Sequence, residues 1–216
     1  MAKLAPPFTV KAVSGDTKFT PLAATEPMSI KEIMAEHPKG IEYAHLLSEF
    51  DRYPIILDAE NNVLSFPPII NGDHTTVTKE TKDFFIDVTG WDIRACESSL
   101  MLIALQLQEY GGIIETVEVT NCFGATNVYP NGSAVEHKLT IAAIQGLLGG
   151  KLTEEAISGA INRMGGKLVS CDDELITLEM PRWRFDILHP VDLVEDIAIG
   201  HGYEDLGHDI PRSPMT

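Results

Sequence analysis

The stretch Thr153–Asp196, "TEEAISGAINRMGGKLVSCDDELITLEMPRWRFDILHPVDLVED", decides the fold class, because its pattern changes from helix to hairpin and back to helix. Thr153 is placed to cap a helix whose first turn holds Glu154 and Glu155, where the helix dipole favours anions. Ile157, Ala160, Ile161 and Met164 make the apolar stripe of that helix, and Gly165 fits the left-handed position after it. "KLVSC" and "LITLEM" flank "DDE" as two strands flank a turn, and Pro181 ends the hairpin. Pro190 then suits the first turn of a last helix. Helices and an antiparallel hairpin in one short run predict an α+β module.

Upstream, "LTIAAIQGLLGG" reads as a short helix closed by glycine. Turn residues cluster around "VYPNGSAVE", which places a boundary between two modules, residues 1–130 and 131–216. In the first, the chain through Pro27 reads as loop with a short strand at "FTVKAV". Ser29 and Glu32 fit a capping box, so a helix is expected at "MSIKEIMAEH". "GIEYAHLLSEF" is a second helical stretch, with Ile41, Ala44, His45 and Leu47 near one face. "YPIILDAENNVLSFPPII" has hairpin grammar, and Pro67 and Pro68 stop its second strand. "FFIDVTG" is expected as a further strand. Asp92 is placed to cap a long helix to Tyr110, with Ile93, Leu100, Ile103 and Leu107 at helical spacing and Gly111 and Gly112 at its end. "VEVT" alternates as a strand.

The 216 residues are 44% apolar and 22% charged, a balance that supports a buried core. Thirty-two acids against sixteen Lys and Arg give a formal charge of -16, which repels phosphate backbones and suits a basic partner. Cys96, Cys122 and Cys171 have neither metal-ligand nor redox spacing and read as reduced thiols of a cytoplasmic protein. The N-terminal "MAKLAPPFTVKAV" lacks a signal-peptide core, and the apolar run "LMLIALQL" is too short to span a bilayer.

Two constellations carry possible chemistry. In the first, Asp192, Glu195 and Asp196 fall at i, i+3 and i+4 on the last helix, and Asp186 just before it can fold back to the same side. Carboxylates this close repel unless a cation or arginines intervene, and a hard ion such as Mg²⁺ suits oxygen donors. The alternative is an acidic face paired with Arg182 or Arg184. In the second, Ser65 ends a strand before the Pro-Pro block, while Asp87 and Thr89, two apart on an expected strand, point to one face. Together they would line a polar pocket; the alternative is ordinary strand polar residues. "GGK" at Gly149 to Lys151 is no phosphate loop, since Gln145 stands at the first glycine position and Leu152 replaces the Ser or Thr. The seven histidines are scattered and receive no role.

"VLSFPPIING", "FIDVTG" and "RWRFDILHPVDLVEDIAIGHGYEDL" resemble the β chain of phenylalanine–tRNA ligases of the archaeal and eukaryotic type. The resemblance runs from about Pro6 to Arg212 and takes in "EHPKGIEYAHLL". It implies the C-terminal part of a mixed α/β editing module, which hydrolyses tyrosine wrongly attached to the phenylalanine tRNA, followed by a small winged-helix-like module. By motif position Ser65, Asp87 and Thr89 would form the editing pocket, with Ile56 lining it. Asp186, Asp192, Glu195 and Asp196 would be linked to Mg²⁺ at the contact with the α subunit of an α2β2 heterotetramer; Asp196 stands where a glutamate is usual. The resemblance also implies longer β chains with further modules on both sides, and ATP used by the complete enzyme at the α subunit, not bound by this chain. Two rival readings remain: a non-catalytic interaction module whose acids dock a basic partner, and a free-standing deacylase of mischarged tRNA, against which the charge argues. A helix carrying Arg163 beside two glutamates does not suit a DNA groove.

Overall fold

The structure, a computed structural model, describes residues 4–207. The chain divides into two compact units, Met1–Thr89 and Gly90–Thr216.

In the first unit β1 (Thr9–Val13), β2 (Lys18–Phe19) and β3 (Met28–Ser29) precede α1 (Ile30–Glu36) and α2 (Pro38–Tyr43). A single 3₁₀ turn at Ala44–Leu46 leads to β4 (Tyr53–Leu57), β5 (Val63–Phe66) and β6 (Ile70–Asn71). The four-stranded antiparallel sheet has the order β1-β4-β5-β6. The expected capping box forms: the Ser29 N–H donates to the Glu32 carboxylate at 2.6 Å, and the Glu32 N–H donates to Ser29 Oγ at 3.2 Å. Ile30 and Ile33 drop from that helix onto Ile55, Leu57 and Phe66 of the sheet, forming the core with Phe19, Leu47 and Ile69. The Phe66 ring meets Tyr53 edge-on at 6.2 Å between centroids. Gly40 lets α2 cross α1, because a Cβ there would collide with the Ile33 carbonyl.

Two expectations are corrected. The second helix begins earlier, at Pro38, and Ile41 faces solvent, so the core is reached through Leu47 instead. "FFIDVTG" has strand-like residues but forms no strand. A strand needs a ladder partner, and among the described residues none pairs with it; it is placed instead by the Phe85 ring, 4.4 Å from that of Phe8 beside the start of β1.

The second unit opens with α3 (Ile93–Glu109), capped by Asp92, whose carboxylate accepts from the Ala95 N–H at 2.8 Å. A hairpin of β7 (Val117–Thr120) and β8 (Thr126–Tyr129) follows. Then come β9 (Val135–Thr140), α4 (Ile141–Leu148), α5 (Glu154–Arg163), β10 (Lys167–Cys171), β11 (Leu175–Met180) and α6 (Pro190–His201). The sheet order is β10-β11-β9, all antiparallel. Helices α4, α5 and α6 cover it, burying Leu139, Ile144, Ile157, Ile161, Ile176, Leu178, Leu193 and Ile197. This is the α+β module that the opening stretch implies, with the expected caps at Thr153, Gly165 and Pro190 in place. Strands β8 and β9 escaped the sequence reading, hidden among the turn residues of "VYPNGS". In α3 the face turned inward carries Ser98, Met101 and Ala104; Ile93 and Ile103, expected inside, are exposed.

Candidate functional site

The sheet of the first unit sets four residues in one cross-strand row. Val10 pairs with Ile56, Ile56 with Ser65, and Ser65 with Asn71. Partners directly opposite in antiparallel strands project to one side, so Ile56 and Ser65 are lateral neighbours there. Both are buried. The Ser65 hydroxyl donates to Asn71 Oδ1 at 3.0 Å. The short strand carrying Asn71 is pinned by backbone bonds: Leu22 N–H to the Asn71 carbonyl at 2.8 Å, Gly72 N–H to the Leu64 carbonyl at 2.9 Å, and Asp73 N–H to the Thr20 carbonyl at 2.9 Å. Gly72 is required here, since a Cβ would run into the Val63 carbonyl.

Asp87 and Thr89 lie on the unpaired segment after Phe85, and both keep exposed surface. Enough protein still surrounds the Asp87 carboxyl for desolvation to push its pKa above the ordinary carboxylate value, opposed by its own backbone N–H. Among the described residues no hydrogen bond joins Asp87 or Thr89 to Ser65. The structure therefore joins Ile56, Ser65 and Asn71, and leaves the other two on the unpaired segment that follows Phe85. The sequence reading missed Asn71; its only signal was its place after the Pro-Pro block, where a returning strand brings it opposite Ser65.

The acidic corner is in the second unit. Asp192 caps its own helix, its Oδ2 accepting from the Leu188 and His189 N–H groups at 2.7 Å each. Those backbone donors, His189 first, hold its pKa below the ordinary value. Asp196, expected on the same face, is 4% exposed and points inward. Arg184 meets it: Nη2 donates to Asp196 Oδ1 at 2.9 Å and to Asp186 Oδ2 at 2.7 Å, while Nε reaches both Asp186 oxygens at 3.0 and 3.1 Å. Its Nη1 donates to the Met164 carbonyl at 3.3 Å, tying the end of α5 to the same guanidinium. Arg184 lowers the Asp186 pKa and is itself raised further, chiefly by Asp186. Asp196 Oδ2 lies 2.9 Å from Arg184 Nη2 but is buried without a hydrogen bond of its own. Glu195 projects to solvent.

Such a corner can hold a buried carboxylate against a fixed cation. It does not make an oxygen cage for Mg²⁺ from this chain alone. One oxygen of Asp192 is spent on the cap, Arg184 sits between Asp186 and Asp196, and among the described residues no group of three or more His, Cys, Asp or Glu is placed to hold a metal ion.

Residues 137–203 match the family described as the tRNA synthetase B5 domain. The chain is 46% identical over 208 residues to the phenylalanine–tRNA ligase beta subunit of Methanosarcina acetivorans, covering 96% of this chain and 38% of that protein. With the same subunit of Methanocaldococcus jannaschii it is 42% identical over 213 residues, 97% of this chain and 38% of the relative. A crystal structure of an N-terminal fragment of the phenylalanyl-tRNA synthetase beta subunit from Pyrococcus horikoshii superposes with a TM-score of 0.86 at 35% identity, over 94% of this chain and 58% of that one. Both units thus have counterparts in one kind of subunit, of which this sequence spans 38% of the length in these relatives. The chain belongs to the phenylalanine–tRNA ligase β-subunit family.

Proposed function

We propose that this chain supplies part of the proofreading site of a phenylalanine–tRNA ligase and part of the surface on which its β subunit meets the α subunit. The observation that carries the first half is the buried Ile56–Ser65 pair, an apolar wall beside a hydroxyl. The physical need is clear. Tyrosine differs from phenylalanine by one hydroxyl, and an apolar synthetic pocket rejects an added hydroxyl weakly. A second pocket that hydrogen-bonds that hydroxyl removes the error by hydrolysis. A positioned water is the nucleophile in this reading, because Ser65 spends its proton on Asn71 and neither "VLSFPPIING" nor "FIDVTG" holds a His or Lys to activate it. The test is a complete ligase carrying Asp87→Ala or Thr89→Ala. Phenylalanine charging is expected to stay normal while tyrosylated tRNA accumulates; clearance of tyrosine at the parental rate refutes the assignment.

For the acidic corner the reading is assembly, in a cytoplasmic ligase that draws on ATP and Mg²⁺ as a whole. Glu195 is the exposed carboxylate of the set, and Asp186 is half-exposed, so a neighbouring subunit can complete what this chain leaves open. Mg²⁺ at Asp186, Asp192, Glu195 and Asp196 belongs, in this reading, to the α–β contact rather than to the separate chain. Calorimetry with Mg²⁺ is expected to show no binding to the chain alone and binding once the α subunit is present.

A further inference from the structure

We infer that a cavity within the second unit is a binding site for a free apolar α-amino acid, held by its two charges. The cavity, about 350 Å³, opens between α3, the turn from α5 to β10 and the chain leaving β11. Pockets for small molecules begin at about this size. Its floor is apolar, made by Met101 and Leu105 of α3 with Pro181 and Trp183. Gly132 and Ala134 border it with nothing longer than a methyl group, so the space stays open. This site is independent of the proofreading and assembly readings above.

The rim supplies the selectivity. Lys167 of β10 and Glu179 of β11 are directly opposite in the antiparallel ladder, so both side chains leave the same face, and both border the cavity. Among the described residues neither side chain has a hydrogen bond or an ion pair. The other charges nearby are already matched. Arg182 Nε donates to the Ser133 carbonyl at 3.2 Å and its Nη1 lies 3.9 Å from Glu97, which keeps it in the wall. Glu136, opposite Glu179 on β9, has Lys138 at 3.9 Å. One ammonium and one carboxylate are left side by side over an apolar floor. A molecule with a carboxylate for Lys167, an ammonium for Glu179 and an apolar body for Met101, Leu105 and Trp183 answers all three features. It also carries no net charge, so the formal charge of -16 does not repel it as it would a simple anion.

Trp183 is a built-in reporter for the test. The chain has two tryptophans, and Trp91, 88% exposed, is not among the cavity's lining. In the full chain carrying Trp91→Phe, tryptophan emission therefore comes from the cavity alone. Titration with L-leucine and with L-phenylalanine is expected to shift that emission saturably. Two relatives of leucine, each with a single charge, separate the contributions: isocaproate lacks the ammonium and isoamylamine lacks the carboxylate. Each is expected to bind about three- to fivefold more weakly than leucine, the worth of one half-exposed ion pair. Lys167→Met is expected to weaken leucine and isocaproate while leaving isoamylamine unchanged, and Glu179→Gln to do the reverse. Thermal melting checks that both variants fold, and the comparison of the three ligands on the parent chain needs neither. Emission that neither amino acid moves overturns the site. Equal binding of leucine, isocaproate and isoamylamine, or a saturable shift that neither substitution alters, overturns the pairing of charges on which the inference stands.

Discussion

At the scale of single residues, Arg184 is the side chain on which most depends. It joins two carboxylates and a helix-end carbonyl, with a side chain only 12% exposed. Removing one partner of a buried ion pair leaves an uncompensated charge, which costs about 3–5 kcal/mol. Arg184→Met is expected to destabilise the second unit by that amount in urea unfolding, whereas Arg184→Met with Asp196→Leu is expected to recover much of the loss, since no charge then stays buried. The acidic spacing was legible in the sequence, and so was the choice between metal and arginine. Which of the two the chain itself supplies was not. That depends on whether the loop from Pro181 folds Arg184 over α6, a tertiary fact with no local signature. Asn71 was hidden for a similar reason: its partner is set by strand register across a turn, not by spacing along the chain.

At the scale of elements, caps were read correctly because they are local. Ser29, Asp92 and Thr153 each bond within three residues of themselves. Faces were harder. The stripe predicted for α3 included Ile93 and Ile103, yet the neighbours available within the unit meet Met101 and Ala104. Periodicity says that apolar residues share a side; only packing says which side is covered. The α5–α6 crossing makes a sharper prediction. Gly200 lies against the Ala160 backbone so closely that a Cβ would collide with its carbonyl, and Arg163 Nε donates to the Gly200 carbonyl beside it. Gly200→Ala must separate the two helices, and a loss of about 1–3 kcal/mol is expected from this overpacking, measured as a lower urea midpoint with an unchanged slope.

At the scale of the whole molecule, the α+β class was legible from the run of caps, turns and hairpins, whereas the division expected between residues 130 and 131 falls between Thr89 and Gly90, so that α3 and the β7–β8 hairpin go with the second unit. The formal charge of -16 also bears on stability. Asp186 and Asp192 both have folded pKa values lowered from 3.8, the first by Arg184 and the second by backbone N–H donors. A depressed carboxylate contributes stability above its unfolded pKa and loses it as pH falls through the folded one. Relief of acid–acid repulsion acts the other way but only as carboxylates begin to protonate. Urea midpoints are therefore expected to stay level from neutrality to about pH 5 and to drop below about pH 4. A midpoint that rises steadily down to pH 3 would show that repulsion dominates.

The guanidinium bridge in the second unit has one more consequence. Because the chain carries its own counter-charge for the buried acid, this corner can close during synthesis without waiting for an ion or a companion polypeptide. Chelators in the medium are then expected to leave the folding of this corner unchanged.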